Sequence, residues 1–586
     1  MRRLTGVLLF VGVSLLAGCP ADAPSQTAGG RSAAGERGDD TPGDGGSGRT
    51  SPAADPEWVR RDAFDFTYRN GEELEINSIV ESVGGGVAVF DFDGDGRADV
   101  AATGGGTFRD DLGTDGRPTG LFHNRGDWQF ADVGEQAGVD SPGRYTHGLS
   151  TADFDGDGFP DLLVTGYGGQ RLWRNLGDGT FTDATEDAGL DDRQWATSAG
   201  WADFDGDGVL DLFLTHYVDW SAENHPVCEG SDGTLDVCSP RSFEGLTDVI
   251  YFGDGKGHLY RGEGERGRLT EGGKGLGVVL GDIDLDGDMD AYVGNDSTVN
   301  FLYLNDGQGV FREEGLLLGV AVDDRGHPDG SMGVDLGDYN GDGLPDLWVA
   351  NYEAEAFGLY RNTGGAGFLY ATPEAGVNAI GQLFVGFGTV FADFDGDGDE
   401  DLAVANGHVV QTERQSPIRQ QPLYLRNEGG RFVRGEYRSG YFADAHIGRG
   451  LADGDLDGDG DPDLVISHNN DPVAVLENQS PGGEWLALKL IGVVSNRDAV
   501  GAIVTLTTDR GQQHRQVTGG GSYLSQPETT VRFARSHGEL LRHVDIAWPS
   551  GRTQQVSFRD GPILSGSLGM SGRNTVVIVE SAGASD

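Results

Sequence analysis

The stretch Asp91-Phe92-Asp93-Gly94-Asp95-Gly96-Arg97-Ala98-Asp99 decides how the rest of the chain is read. Its pattern is Asp-x-Asp-x-Asp-Gly-x-x-Asp. Carboxylates at positions 1, 3, 5 and 9, with the carbonyl at position 7, suit Ca²⁺, a hard cation that takes about six to eight oxygens at about 2.3–2.6 Å. Glycine at position 6 lets the backbone turn sharply, so that position 9 returns to the same centre.

A single copy of such text reads equally well as a solvated turn. Here the pattern recurs in one phase, starting at Asp91, Asp153, Asp203, Asp282, Asp338, Asp393 and Asp455. The first copy offers Asp91, Asp93, Asp95 and Asp99 with the carbonyl of Arg97. The second offers Asp153, Asp155, Asp157 and Asp161 with Phe159, and the third Asp203, Asp205, Asp207 and Asp211 with Val209. The fourth offers Asp282, Asp284, Asp286 and Asp290 with Asp288. In the fifth, Asn340 replaces one carboxylate beside Asp338, Asp342 and Asp346, with Leu344 at position 7. The sixth is Asp393, Asp395, Asp397 and Asp401 with Asp399, and the seventh Asp455, Asp457, Asp459 and Asp463 with Asp461. Up to seven Ca²⁺ ions are therefore expected.

The loop is not an EF-hand, which needs a bidentate Glu at position 12 and a following helix. Position 12 here is Ala102, Val164, Leu214, Val293, Val349, Val404 or Ile466. The residues from position 9 onward are strand-like, as in Asp161-Leu-Leu-Val.

Working outward, each period of about 60 residues has one grammar. A Gly-rich apolar strand such as Gly84–Phe90 or Gly386–Phe391 precedes the loop. A second strand such as Asp161–Thr165 or Asp346–Ala350 comes after it. A third reads like Arg171–Asn175 or Phe301–Asn305, and a Gly-rich turn gives a fourth such as Thr180–Asp183. Four short strands, seven times over, predict an all-β fold with a seven-bladed β-propeller over residues 58–480. The last period stops after its third strand. Phe64–Tyr68, before the first period, is expected to complete that blade and so remove an open edge.

The third period is longest. Its excess, His216–Asp248, falls between the second and third strands, on the face opposite the acidic loops, and carries Cys228 and Cys238. A disulfide suits an exported chain, and metal binding by the pair is the alternative, for which no second pair exists. Residues ending the second strands recur on that same face: His216-Tyr217, Asn295-Asp296, Asn351-Tyr352, Asn406-Gly407-His408 and His468-Asn469-Asn470. His216, Tyr217, Asn351, Tyr352, His408, His468 and Asn469 are the candidate ligand face. The competing reading is that they cap strands.

The chain has 586 residues, 100 of them glycine, above the ordinary share of about 7%. Its formal charge is −53. Seven bound Ca²⁺ would bring that to about −39. So acidic a chain argues against a nucleic-acid partner, and the regular apolar runs argue against disorder.

Residues 1–18 have a basic start, Arg2-Arg3, and a short apolar run, and read as a signal peptide. Residues 19–57 are rich in Gly, Ala, Ser, Pro and Asp and read as a disordered tether. Residues 481–580 lose the acidic loop and alternate as in Trp485–Leu490 and Val544–Trp548, which predicts a separate small β-domain. Gly519-Gly520-Gly521-Ser522 has no following Lys and no helix pattern, so it is not read as a phosphate loop.

These residues carry three resemblances. Leu16-Ala17-Gly18-Cys19 resembles a bacterial lipobox, which implies cleavage before Cys19 and its lipidation. The loops with their Leu-x-x-Asn-x-Gly third strands resemble FG-GAP/VCBS repeats, as in integrin α-subunit propellers. Ser495–Asp498, Val500–Ala502, Gly519–Gln526 and Trp548–Gly551 resemble the ASPIC/UnbV domain. The combination is similar to cartilage-acidic-protein-like proteins, and the Cys228–Cys238 insertion resembles one in bacterial members. The resemblance implies a calcium-loaded propeller outside the cytoplasm, lipid-anchored to a bacterial membrane at the periplasm or cell surface. An unidentified protein or glycan is the expected partner, and the lipid anchor the only membrane contact. The expected role is binding or adhesion. The alternatives are an extracytoplasmic hydrolase or lyase using His216, His408 or His468, and a scaffold of an envelope assembly. No nucleophile elbow or zinc-ligand spacing is present.

Overall fold

The computed structural model describes residues 55–581 apart from 141–142, 231–232, 410–415, 481–483, 560–562, 565–567 and 572–574. The signal peptide, Cys19 and nearly all of the tether lie outside the described residues. Among the described residues no helix is long and apolar enough to cross a membrane.

Seven sheets share one order, in which four antiparallel strands run from the channel outward. The seven inner strands are Val87–Phe90, Tyr145–Ala152, Ala196–Ala202, Gly275–Gly281, Val334–Gly337, Gly386–Ala392 and Gly448–Gly454. Each packs beside the inner strands of its two neighbours, and the seventh returns to the first. The result is a closed β-propeller with blades numbered 1 to 7 in chain order. Apolar side chains from both sheet faces fill the spaces between blades, so inner and second strands are buried on both sides.

Closure differs from expectation. The outermost strand of blade 7 is Trp58–Arg61, paired from Trp58↔Asn478 to Arg61↔Val475. Its Trp58 ring packs on Phe394 and Phe442. Phe64–Tyr68 does not supply that strand. It crosses the seam between blades 7 and 1, with Phe64 stacked on Phe122 at 3.9 Å and the Phe66 carbonyl accepting from Val473 N–H. The chain then runs over the channel mouth through residues 69–86.

The insertion in blade 3 lies between Asp211–His216 and Val249–Gly253 and contains a short hairpin, with Cys228 and Cys238 disulfide-bonded.

The C-terminal region builds two sheets of its own. One is centred on Glu484–Ile491, the other on Ile503–Thr508 and Leu541–Ala547. It is not the separate unit expected. One apolar core runs from Trp201 and Leu280 of the propeller to Val517, Phe533 and Trp548. Moreover, Gly519–Gln526 leaves the C-terminal sheets and enters the propeller channel. Gly519-Gly520 pairs with Leu280 and Val279 as a fifth strand of blade 4. The Ser522 carbonyl accepts from Val334 N–H (blade 5), its hydroxyl accepts from Thr389 N–H (blade 6), and that hydroxyl donates to the Leu451 carbonyl (blade 7). Leu524 accepts from Leu149 N–H (blade 2) and donates to the Ser198 hydroxyl (blade 3). Gln526 exchanges backbone hydrogen bonds with Val87 and Val89 (blade 1). This plug therefore touches all seven inner strands and satisfies backbone groups that line the channel.

Candidate functional site

The seven acidic loops adopt one geometry. The position-1 carboxylate accepts from the position-6 glycine N–H in six copies, at 2.8–3.1 Å. In the seventh, Asp455 instead accepts from Gly458 N–H at 2.7 Å. The position-7 N–H donates to the position-5 carboxylate in all seven, at 2.9–3.2 Å. Position 9 is a brace. One oxygen of Asp99, Asp161, Asp211, Asp290, Asp346, Asp401 and Asp463 accepts from the backbone N–H at the end of the third strand, at 2.7–2.9 Å.

Carboxylate oxygens of Asp91, Asp93 and Asp99 lie within 4.8 Å of one another, as do those of positions 1, 3 and 9 in blades 2, 3 and 4. Oδ1 of Asp91, Asp153 and Asp282 is buried without a hydrogen-bond partner. Burial and neighbouring carboxylates push Asp99 and Asp161 up to about 9 and Asp153 to about 7. Converging oxygens with orphaned lone pairs and strained ionisation are a donor set that fits a hard divalent cation. Asn340 turns its amide nitrogen toward Asp346 at 3.4 Å.

The third-strand Asn links neighbouring blades. Its amide donates to the position-2 carbonyl of the preceding loop: Asn175 to Phe92, Asn305 to Phe204, Asn362 to Ile283, Asn427 to Tyr339, Asn478 to Phe394 and Asn124 to Leu456. Blade 3 carries Gly253 at that position and makes no such link.

The C-terminal region covers this face. Lys489 pairs with Asp91 at 3.5 Å, and Asp498 accepts from Asp153 N–H at 2.8 Å. Arg515 pairs with Glu400 at 3.0 Å, and Glu400 accepts from Asp338 N–H at 2.7 Å. Glu528 accepts from Asp455 N–H at 3.2 Å. Each contact falls on position 1 of a loop or on the acid that binds it.

The opposite mouth corrects most of the candidate ligand face. His216 is fully buried beside Asp192 at 3.3 Å. His408 is buried beside Glu353 at 3.4 Å. His468 is bonded on both ring nitrogens, to the Tyr441 hydroxyl and the Pro472 carbonyl, and burial holds it down at about 3. Asn351 is spent on Ala356 and Ser331, and Asn469 is buried. These side chains fasten strand ends to loops. Tyr217 and Tyr352 remain, lining a cavity of about 300 Å³ at the channel mouth. Its floor includes Tyr523, Phe387 and Met332, its far wall Val237 and Cys238 of the insertion, and its acidic wall Asp296 and Glu355. Tyr523, Glu355 and the docking residues Lys489, Arg497, Asp498, Arg515 and Glu528 were not singled out in the sequence as site residues. The one signal for them is that Arg497, Asp498 and Tyr523 fall within the text resembling ASPIC/UnbV.

Comparison with known proteins agrees with the loop geometry. FG-GAP-like repeat models match residues 91–164, 153–214, 282–349 and 338–404. An ASPIC and UnbV model matches residues 492–559. The chain carries FG-GAP-like repeats and an ASPIC and UnbV region. Among curated relatives, cartilage acidic protein 1 of Mus musculus is 30% identical over 295 residues, and that of Homo sapiens 28% over 304. These alignments cover 47% and 50% of this chain but only 42% and 43% of the relatives. Among solved structures, the BP39L lectin from Burkholderia pseudomallei aligns at TM-score 0.41 with 9% identity, over 68% of this chain and 96% of its own. A lectin from Agrocybe aegerita aligns at TM-score 0.35 with 17% identity, over 60% and 79%. Likenesses this loose carry no argument about ligands.

Proposed function

We propose that this FG-GAP-repeat chain is an extracytoplasmic binding module, tethered to a bacterial membrane through lipid on Cys19. Its propeller is braced by calcium and holds a protein or glycan partner against the face away from the acidic loops. One observation carries the choice of face: the loop side is covered by the chain's own C-terminal region and the channel is filled by Gly519–Gln526. The cavities on that side lie between the loops and the C-terminal region, and the opposite mouth has a cavity of its own away from the loops. Catalysis is less well supported, since His216, His408 and His468 are buried in fixed pairs and expose no base to a substrate.

The calcium would act structurally, because converging carboxylates repel when no cation lies among them. Chelation with EDTA is expected to lower the melting temperature by roughly 10 °C or more, with millimolar calcium restoring it. Elemental analysis of the dialysed protein checks the stoichiometry. An unchanged melting curve with no bound metal would remove the calcium reading.

A further inference from the structure

The channel-mouth cavity is lined by aromatic rings and by two acids, and neither acid sits in a close ion pair; Arg241 and Lys274 act on Asp296, and Arg241 on Glu355, only from a distance. Asp296 Oδ2 accepts from the Tyr217 hydroxyl at 2.5 Å, and Oδ1 from the Ser297 hydroxyl at 3.0 Å. Glu355 Oε2 accepts from Gly330 N–H at 2.8 Å. A Cβ placed on Gly330 would stand 3.2 Å from Asp296 Oδ1 and 3.6 Å from Glu355 Oε2, so both carboxylates flank one backbone position. Among the described residues neither has a Lys or Arg nitrogen within 4.0 Å, although ion pairs are common elsewhere in the chain. The one basic lining residue, Arg241, is exposed at the rim. Lys274, nearby, donates instead to the Pro240 carbonyl at 2.7 Å. Burial pushes both the Asp296 and the Glu355 carboxyl up.

Two under-compensated acids beside Tyr217, Tyr352 and Tyr523 are complementary to one kind of guest. A cation gains from the carboxylates and from the ring faces, and an apolar body gains from the Met332, Phe387 and Val237 surface. We propose that this cavity binds a small organic ammonium ion carried on an apolar or aromatic body, with Tyr523 as part of the floor. The proposal deepens the reading of this mouth as the binding face. It also gives the C-terminal region a direct part in that face, because Tyr523 arrives from the opposite side through the channel. Its hydroxyl accepts from Gly84 N–H at 3.4 Å and its ring packs edge-on against Phe387 at 4.9 Å.

The test uses the full chain in calcium, with benzylamine as probe and benzyl alcohol as its neutral counterpart, read by calorimetry and by saturation-transfer NMR. Benzylamine is expected to bind, with benzyl alcohol at least about tenfold weaker. Glu355→Gln keeps an acceptor for Gly330 N–H, and Asp296→Asn keeps one for Tyr217. Each should weaken benzylamine binding roughly tenfold while leaving the melting temperature close to wild type. Should Asp296→Asn not fold, Glu355→Gln carries the test alone. Tyr523→Phe should bind as wild type, and Tyr523→Ala should not. Equal binding of the alcohol, no binding of the amine at millimolar concentration, or indifference to the carboxylate variants would each overturn the proposal. Displacement of benzylamine by a neutral sugar with greater affinity would do the same. The probe needs no natural partner. A macromolecular partner found elsewhere on the chain would therefore defeat the binding-face reading without altering this result, and the reverse also holds.

Discussion

The two mouths of the propeller channel are made by the same seven sheets, yet they are built on different terms. On the loop side the chemistry repeats from blade to blade. A position-9 Asp braces the third strand, and in six blades an Asn ties that strand to its neighbour. The chain's own C-terminal region is docked on top. On the other side a His or Asn recurs where the second strands end, at His216, Asn295, Asn351, Asn406 and His468, but the features around the cavity do not repeat. Residues 69–86 cross the mouth once, blade 3 alone carries the disulfide-bonded insertion, and the acids Asp296 and Glu355 have no counterparts in register. Repetition marks what holds the ring. Its absence marks the mouth that we propose as the binding face.

The sharpest way to break this comparison is to evict the plug. A Cβ on Gly86 would stand 2.1 Å from the Leu524 carbonyl oxygen and 2.8 Å from the Gly148 Cα. Both obstacles are backbone, so neither can swing aside. Gly86→Val is expected to destabilise by about 3–4 kcal/mol or to prevent folding. Gly511→Ala, which meets nothing within 4 Å, should stay within about 0.5 kcal/mol. Urea unfolding compares the two. A wild-type curve for Gly86→Val would place Gly519–Gln526 outside the channel in solution.

A middle-sized effect tests the blade links. Asn427 donates to the Tyr339 carbonyl of blade 5 at 2.8 Å and to the Glu400 carbonyl at 2.9 Å, and is buried. Asn427→Ala leaves both carbonyls without that donor and should cost about 1–3 kcal/mol. Blade 3 already lacks the Asn link at Gly253, so the seam between blades 2 and 3 has one hydrogen bond fewer there, keeping the Leu259 N–H to Ala188 carbonyl bond at 2.8 Å. Hydrogen exchange should show faster opening there than at the blade 5–6 seam in the wild type, and similar opening at both in Asn427→Ala. Uniform protection around the wild-type ring would mean that the Asn bonds contribute little.

These contrasts also show what a sequence makes legible. The loops, the four strands per period and the position of the insertion were readable because periodicity is a sum over seven copies. The closing strand was misplaced because Phe64-Asp-Phe-Thr-Tyr68 alternates apolar and polar residues, whereas Trp58-Val-Arg-Arg61 does not. Pairing with Ala474–Asn478 and the packing of Trp58 on Phe394 nevertheless select the latter. The plug left a trace that spacing alone does not explain. The fifth residue before each loop is Gly86, Gly148, Gly277, Gly333, Gly388 or Gly450, with Ser198 in blade 3. At Gly86, Gly148, Gly277 and Gly450 a Cβ would meet the plug at Leu524, Ser522 or Ser525, at Gly333 and Gly388 it would meet the neighbouring inner strand, and Ser198 is the one whose hydroxyl binds Leu524. The histidines of the candidate ligand face misled because residue type does not reveal direction. Asp192, Glu353 and Tyr441, which hold them, lie in loops with no repeating signature.

The smallest effect concerns how the C-terminal region keeps its grip. Glu580 Oε2 accepts from Val493, Val494 and Ser495 N–H at 2.7–2.9 Å, and Oε1 from the Ser550 hydroxyl at 2.6 Å. That turn leads directly into Arg497 and Asp498, which meet the blade 2 loop. Burial alone would push the carboxyl up. The Ser550 hydroxyl and the three backbone donors outweigh it and hold it at about 2. A folded value below the unfolded one means that ionised Glu580 stabilises the fold at neutral pH, and that this contribution fades as pH falls from the ordinary Glu range of about 4.3 toward about 2. Glu580→Gln loses the charge and should cost about 1–2 kcal/mol at pH 7. The gap between wild type and variant should narrow as pH drops through that window. A gap that stays constant from pH 7 to pH 2 would assign the effect to shape alone and remove charge from the account of how the turn is held.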